Sequence, residues 1–157
     1  TDLSRESAQR LQEDPLYRGA HDWFAGFAAL LDEYDRTVPS TGAWTESHRE
    51  FYRYLNSVTQ QMDGVLLPET FSARGYIGLL DALLARLKEF RITETELRRV
   101  PTMAEEARTS LALECLGAKA FAALVWPVMP DLGQQIWDWL GLPGQPIREA
   151  EWSFLPC

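Results

Sequence analysis

The chain has 157 residues with 46% of them hydrophobic, enough to bury one core of ordinary size and too few for a second domain to be expected. Its 15 Lys and Arg stand against 23 Asp and Glu, a formal charge of -8. That sign opposes the field that gathers a phosphate backbone, so any nucleic-acid contact must rest on a local patch, and DNA is not expected as a partner.

The first residues, TDLSRESAQRLQEDP, hold no apolar core of signal-peptide length. No stretch approaches about 18 uncharged apolar residues, so neither a membrane span nor a membrane partner is expected. Cys115 and Cys157 lack the paired spacings of secreted disulfide scaffolds, which favours a reducing, cytoplasmic setting.

Apolar residues recur at helical spacing almost throughout, and no run alternates at period two over strand length, so the expected fold is all-α, a bundle of about five to six helices. Asp2 or Ser4 is placed to cap a short first helix that stops before Pro15. The next helix is predicted from Leu16 to Arg36, with Trp23, Phe24, Phe27, Leu30, Leu31 and Tyr34 on one stripe. After the turn-rich TVPSTGAWT, Thr45 is the expected N-cap of a helix carrying Phe51, Leu55, Val58 and Met62 and ending near Gly64.

Pro68 and Thr70 restart the chain, and Phe71, Ile77, Leu80, Leu84 and Leu87 predict a further amphipathic helix. Gly75 and Gly78 either weaken it or admit a close neighbour. Thr93 with Glu96, and Thr102 with Glu105, have capping-box spacing, and each is read as a helix start. The alanine-rich run from Met103 to Val125 suits burial on more than one side and is the expected centre of the bundle. Pro127 and Pro130 end it, Asp131 is placed to cap a short last helix, and Gly141 closes that helix. Residues 140–157 are expected as an extended tail, with Trp152 and Phe154 tucked against the bundle, so that 1–157 forms a single domain.

The chemical inventory is thin. His21 and His48 fit no H-E-x-x-H or Glu-x-x-His pattern, and the cysteines are far apart, so no metal site is expected and the histidines read as surface or capping residues. There is no glycine-rich phosphate loop, no G-x-S-x-G elbow and no catalytic residue to name. The pairs Glu105/Glu106 and Glu94/Glu96 are read as carboxylates at helix starts, favoured by the helix dipole. Arg86, Lys88, Arg91, Arg98 and Arg99 alternate with Glu89, Glu94 and Glu96, which predicts a solvated face of mixed charge rather than an RNA patch. Trp126, Trp137 and Trp139 are expected in core and capping contacts.

One segment rises above generic helix. AALVWPVMPDLGQQIWDWLGL resembles the last long helix, the Pro-x-Met-Pro break and the L-G-containing final helix of methionyl-tRNA synthetases, a class I family whose anticodon-binding domain is a helical bundle. The likeness runs back through EEARTSLALECLGAKAF to Glu105 and forward to Trp152 and Leu155-Pro156. TDLSRESAQRLQEDP resembles the stretch with which that family leaves its catalytic domain, and LLDEYDRTVP the end of its first bundle helix. The resemblance thus covers nearly the whole chain.

That family reads the anticodon with an asparagine and an arginine four residues apart on the first bundle helix, and with a tryptophan after a proline further on. Counting back from Val38-Pro39 puts the first two positions at His21 and Ala25. Counting back from Glu105 puts the proline-tryptophan pair at Glu96 and Leu97. Alanine offers no hydrogen bond and leucine no large stacking face, and no tryptophan lies between Trp44 and Trp126 to replace the stacker. The H-I-G-H and K-M-S-K-S signatures of the catalytic domain are also missing.

The resemblance therefore implies a non-catalytic C-terminal scaffold domain of a synthetase-like, ATP-dependent amino-acid-activating enzyme that has lost anticodon recognition. The synthetase-like part of a natural-product hydrazine synthetase is one example. Its expected partner is a synthetase-like catalytic domain, in cis or in trans; ATP belongs to that domain, no cofactor to this chain, and tRNA is not an expected partner. The alternatives are a genuine anticodon-binding domain of a divergent methionyl-tRNA synthetase, with His21, Trp23 and Arg98-Arg99 as its readers, and a freestanding adaptor docking through its tryptophan-rich end.

Overall fold

The structure, a computed structural model, describes residues 14–65 and 72–155. The short helix expected before Pro15, the restart at Pro68, Thr70 and Phe71, and the final Pro156 and Cys157 lie outside these residues. Five helices occupy the rest: α1 Pro15–Asp32, α2 Glu46–Val65, α3 Ala73–Thr95, α4 Ala104–Val125 and α5 Pro130–Trp139. Two short 3-10 turns, Leu97–Arg99 and Pro101–Met103, link α3 to α4. No strand occurs among the described residues, in agreement with the all-α expectation.

α1 starts one residue before the predicted Leu16. Pro15 takes the first helical position, where its missing N–H costs nothing, and Asp14 Oδ1 accepts the Leu16 N–H at 2.8 Å. It also ends four residues before the predicted Arg36. Asp35 and Arg36 adopt left-handed conformations with φ of 55° and 57°, and the Arg36 N–H turns back to the Leu31 carbonyl at 3.0 Å, a helix-closing bond made here without glycine.

Thr45 caps α2 as expected, its Oγ1 accepting the His48 N–H at 3.2 Å. α3 is capped by Ser72, whose Oγ accepts the Gly75 N–H at 3.0 Å. Gly78 has nothing within 4 Å of where a Cβ would sit, so there glycine only weakens the helix.

The two capping boxes fare differently from the reading above. Thr93 opens no helix: it lies in the last turn of α3, and its hydroxyl donates to the Glu89 carbonyl at 3.0 Å, the internal bond a helical threonine makes when its neighbours hold the helix in place. Phe90 and Glu94, both buried, carry α3 through it. A helix does begin just after Thr102, but Met103 holds the cap position without a side-chain bond, because Pro101 first sets a 3-10 turn. Likewise Asp131 stands inside the first turn of α5 rather than capping it, since Pro130 takes the first helical position.

α4 is the centre of the bundle. Every residue from Thr109 to Val125 is buried, with α2 and α3 against one side and α5 folded back on another. Gly133 lets α5 close on α4: a Cβ there would stand 2.7 Å from the Ala122 carbonyl oxygen. Gly141, at φ 75°, ends α5, with the Leu142 N–H donating to the Trp137 carbonyl at 3.2 Å. The chain beyond then crosses α2 without regular structure. Trp152, 1% exposed, donates its indole N–H to Thr59 Oγ1 at 2.7 Å, and the Phe154 ring stacks on Tyr52 at 5.8 Å.

Candidate functional site

The helix repeat places His21 and Ala25 on one face of α1, and both side chains are exposed. Leu97 sits half-buried in the 3-10 turn after α3, where its neighbour Arg98 reaches Glu33 at 3.5 Å, just past the end of α1. Glu33 is twelve residue steps from His21, about 18 Å along a helix axis. The first two positions thus stand together, and the third belongs to the far end of α1. Trp23, a reader in the alternative account, is 4% exposed and lies beneath Arg91, whose guanidinium carbon is 4.6 Å from the ring centroid.

The basic run is not one solvated face. Lys88 and Arg99 are exposed, and Arg86 lies over the Phe51 ring at 5.3 Å. Arg91 turns inward: its Nε donates to Glu114 Oε1 at 2.9 Å and its Nη1 to the Trp23 carbonyl at 2.7 Å. Burial pushes the Glu114 carboxyl above its ordinary range, with Arg91 opposing. Alternation in sequence misses this because Arg91 falls on the buried side of α3 beside Leu84 and Leu87. The tryptophans answer better to expectation: Trp137 is buried and donates to the Pro143 carbonyl at 3.0 Å. Trp139, however, keeps 37% of its surface exposed.

The most chemically suggestive cluster joins the start of α2, the end of α3 and the start of α4. His48 Nε2 lies 2.7 Å from Ser110 Oγ and 3.1 Å from Glu94 Oε2, and Ser110 Oγ donates to that same carboxylate oxygen at 2.7 Å. This corrects the reading of Glu94 as a helix-start carboxylate: it is 4% exposed, near the end of α3. Burial alone would raise its carboxyl, but hydrogen bonds from His48 and Ser110 outweigh that and hold it below the usual range.

A serine, a histidine and a glutamate in contact suggest nucleophilic catalysis, but the hydrogen bonding argues against it. His48 Nδ1 accepts the Thr45 N–H at 3.0 Å, so the ring hydrogen is assigned to Nε2. The imidazole then has no lone pair facing Ser110 to take its proton. His48 is 0% and Ser110 4% exposed, so no substrate reaches them. The cluster fastens three helix ends together. Its short-range half, Thr45 and His48 at capping spacing, is visible in the sequence; the meeting with Glu94 and Ser110 depends on the tertiary fold.

No group of three His, Cys, Asp or Glu among the described residues is arranged to hold a metal ion. No helix among them is long and apolar enough to cross a membrane. Comparison with protein-family models, with curated proteins and with solved structures finds no match for the chain.

Proposed function

We propose that the chain is the non-catalytic C-terminal helical scaffold domain of a methionyl-tRNA synthetase-like, ATP-dependent amino-acid-activating enzyme that has given up anticodon recognition. The observation that carries this reading is the surface at His21 and Ala25. There the resemblance calls for two base-reading side chains, and the exposed face of α1 presents an imidazole and a methyl group, with Asp22 beside them. At the third position Leu97 offers an isobutyl group next to the exposed Glu96. A carboxylate repels phosphate, and neither small aliphatic group can stack a base.

In this role the bundle supplies a rigid body to a synthetase-like catalytic domain, in cis or in trans. ATP and the amino acid bind to that domain, and this chain contributes no group to their chemistry. The synthetase-like part of a hydrazine synthetase is one enzyme of this kind.

The test is a gel shift with initiator and elongator methionine tRNAs at physiological salt, where nonspecific attraction is weak. No anticodon-dependent shift is expected. A shift that disappears when the anticodon is changed overturns the reading in favour of a genuine anticodon-binding domain. Replacing Arg98 and Arg99 together by alanine would then weaken it.

A further inference from the structure

α1 and α5 leave a groove between them. Side chains of α1 face side chains of α5 across it, in the same chain direction. Tyr17 lines one hollow with Asp131 and Leu132, His21 another with Gln135 and Ile136, and the Phe24 ring meets Trp139 edge-on at 4.8 Å. Hollows of about 440 and 170 Å³ lie along this line and share Leu132 and Gln135. The floor is apolar, built from Phe24, Leu132, Ile136 and Trp139. Trp139 keeps 37% of its surface exposed at the end of this floor.

The rim has one sign. The carboxylates Asp131 and Asp138 border the groove, and no Lys or Arg among the described residues lines it. Neither is engaged in an ion pair among the described residues. Asp138 accepts only a hydrogen bond from Gln134, at 2.8 Å.

We infer that this groove docks a basic amphipathic helix of a partner protein. The apolar floor runs from Tyr17 to Phe24 on one side and from Leu132 to Trp139 on the other. Each is seven residue steps, or about 10 Å, the length of two helical turns. That span suits anchors at i, i+3 or i+4, and i+7 of a helix laid in a groove, with Trp139 as the aromatic contact at one end. Lysines or arginines flanking those anchors would meet the carboxylates of Asp131 and Asp138, which complement a cationic partner and repel the phosphates of RNA. The inference uses only α1 and α5 and does not depend on the enzyme to which the chain belongs.

Fluorescence anisotropy with a labelled, designed 14-residue Leu/Lys helix tests it, using a Leu/Glu helix of the same apolar pattern as control. The Leu/Lys peptide is expected to bind saturably one to one, and the Leu/Glu peptide not at all. Asp131→Asn with Asp138→Asn should weaken binding about fivefold, whereas Glu50→Gln with Glu89→Gln, which removes the same charge from exposed positions on α2 and α3, should leave it within about twofold. Trp139→Ala should weaken it about tenfold or more. The aspartate pair is exposed, so that variant keeps the test decisive if Trp139→Ala folds poorly. The proposal is overturned if the Leu/Lys peptide does not bind, if the remote pair weakens binding as much as the groove pair, or if an anticodon stem-loop competes with the peptide for the groove.

Discussion

Thr45 and His48 cap each other across the first turn of α2. The His48 N–H donates to Thr45 Oγ1 at 3.2 Å, and the Thr45 N–H donates to His48 Nδ1 at 3.0 Å. This is the reciprocal capping box with an imidazole where a carboxylate ordinarily stands. The imidazole's second nitrogen is thereby free to reach Ser110 and Glu94, so one residue both starts α2 and fastens it to α3 and α4.

The cluster makes stability sensitive to acid through Glu94. Its carboxyl is held below its ordinary 4.5 in the folded chain, so the ionised form is favoured by folding. That contribution is complete above the ordinary carboxyl range and is lost as pH falls through the lowered folded-state value. Glu94→Gln should cost about 1–3 kcal/mol at pH 7, and the gap in Tm between wild type and variant should narrow as pH drops below the ordinary carboxyl range. A gap that stays constant from neutral to strongly acidic solution would show that the ionised carboxylate carries none of it.

Arg91 and Glu114 pose the opposite case, an ion pair carried into the bundle with side chains 19% and 6% exposed. Removing one partner leaves a charge stranded, so Arg91→Ala should destabilise by about 3 kcal/mol. Replacing both by apolar groups of similar volume, Arg91→Met with Glu114→Leu, should bring stability back to within about 1 kcal/mol of wild type, because the desolvation cost disappears with the charges. Urea unfolding of the three proteins decides it: a double variant no more stable than Arg91→Ala would mean that the pair specifies packing rather than offsetting its own burial.

These two clusters mark where the sequence stops being legible. Helical periodicity locates every helix among the described residues, because each must bury a stripe, and Leu55, Leu80, Leu87 and Ile136 are buried as their spacing requires. Thr45 and Gly141 are recognisable as well, since capping depends on residues three or four apart. Thr93 misleads because its capping signal is local, while the burial of Phe90 and Glu94 against other helices decides where α3 ends. Glu94 and Arg91 read as surface charges in a run of alternating sign, and their buried partners Ser110 and Glu114 come from α4, 16 and 23 residues further on. At the candidate site, the exposure of His21 and Ala25 follows from the α1 stripe. The groove with α5 does not, because nothing local fixes which helix lies beside α1.

Two glycines separate close approach from simple helix weakening. At Gly133 a Cβ would meet the Ala122 carbonyl oxygen at 2.7 Å and Trp126 Cα at 3.0 Å, backbone atoms that cannot swing aside. Gly133→Ala should therefore destabilise by about 2 kcal/mol or more as α5 is pushed off α4. Gly78, exposed on α3 with open space around it, should respond the other way, Gly78→Ala stabilising by about 0.5–1 kcal/mol through the unfolded chain's lost freedom. Thermal unfolding measures both, and two shifts of the same sign would contradict the packing of α5 on α4.

Cys115 lies at the heart of α4, with 0% of its surface exposed. Burial, with the Glu114 carboxylate adding to it, pushes its thiol up to about 12, so at pH 8 almost none is thiolate, the reactive form. In a Cys157→Ser background, which leaves Cys115 as the one thiol, disulfide-exchange reagents should label the native protein only as fast as the bundle opens. The labelling rate should then climb with urea in step with the unfolding equilibrium. Labelling of the folded protein at the rate of a free thiol would mean that α4 is accessible without opening, contrary to its place at the centre of the bundle.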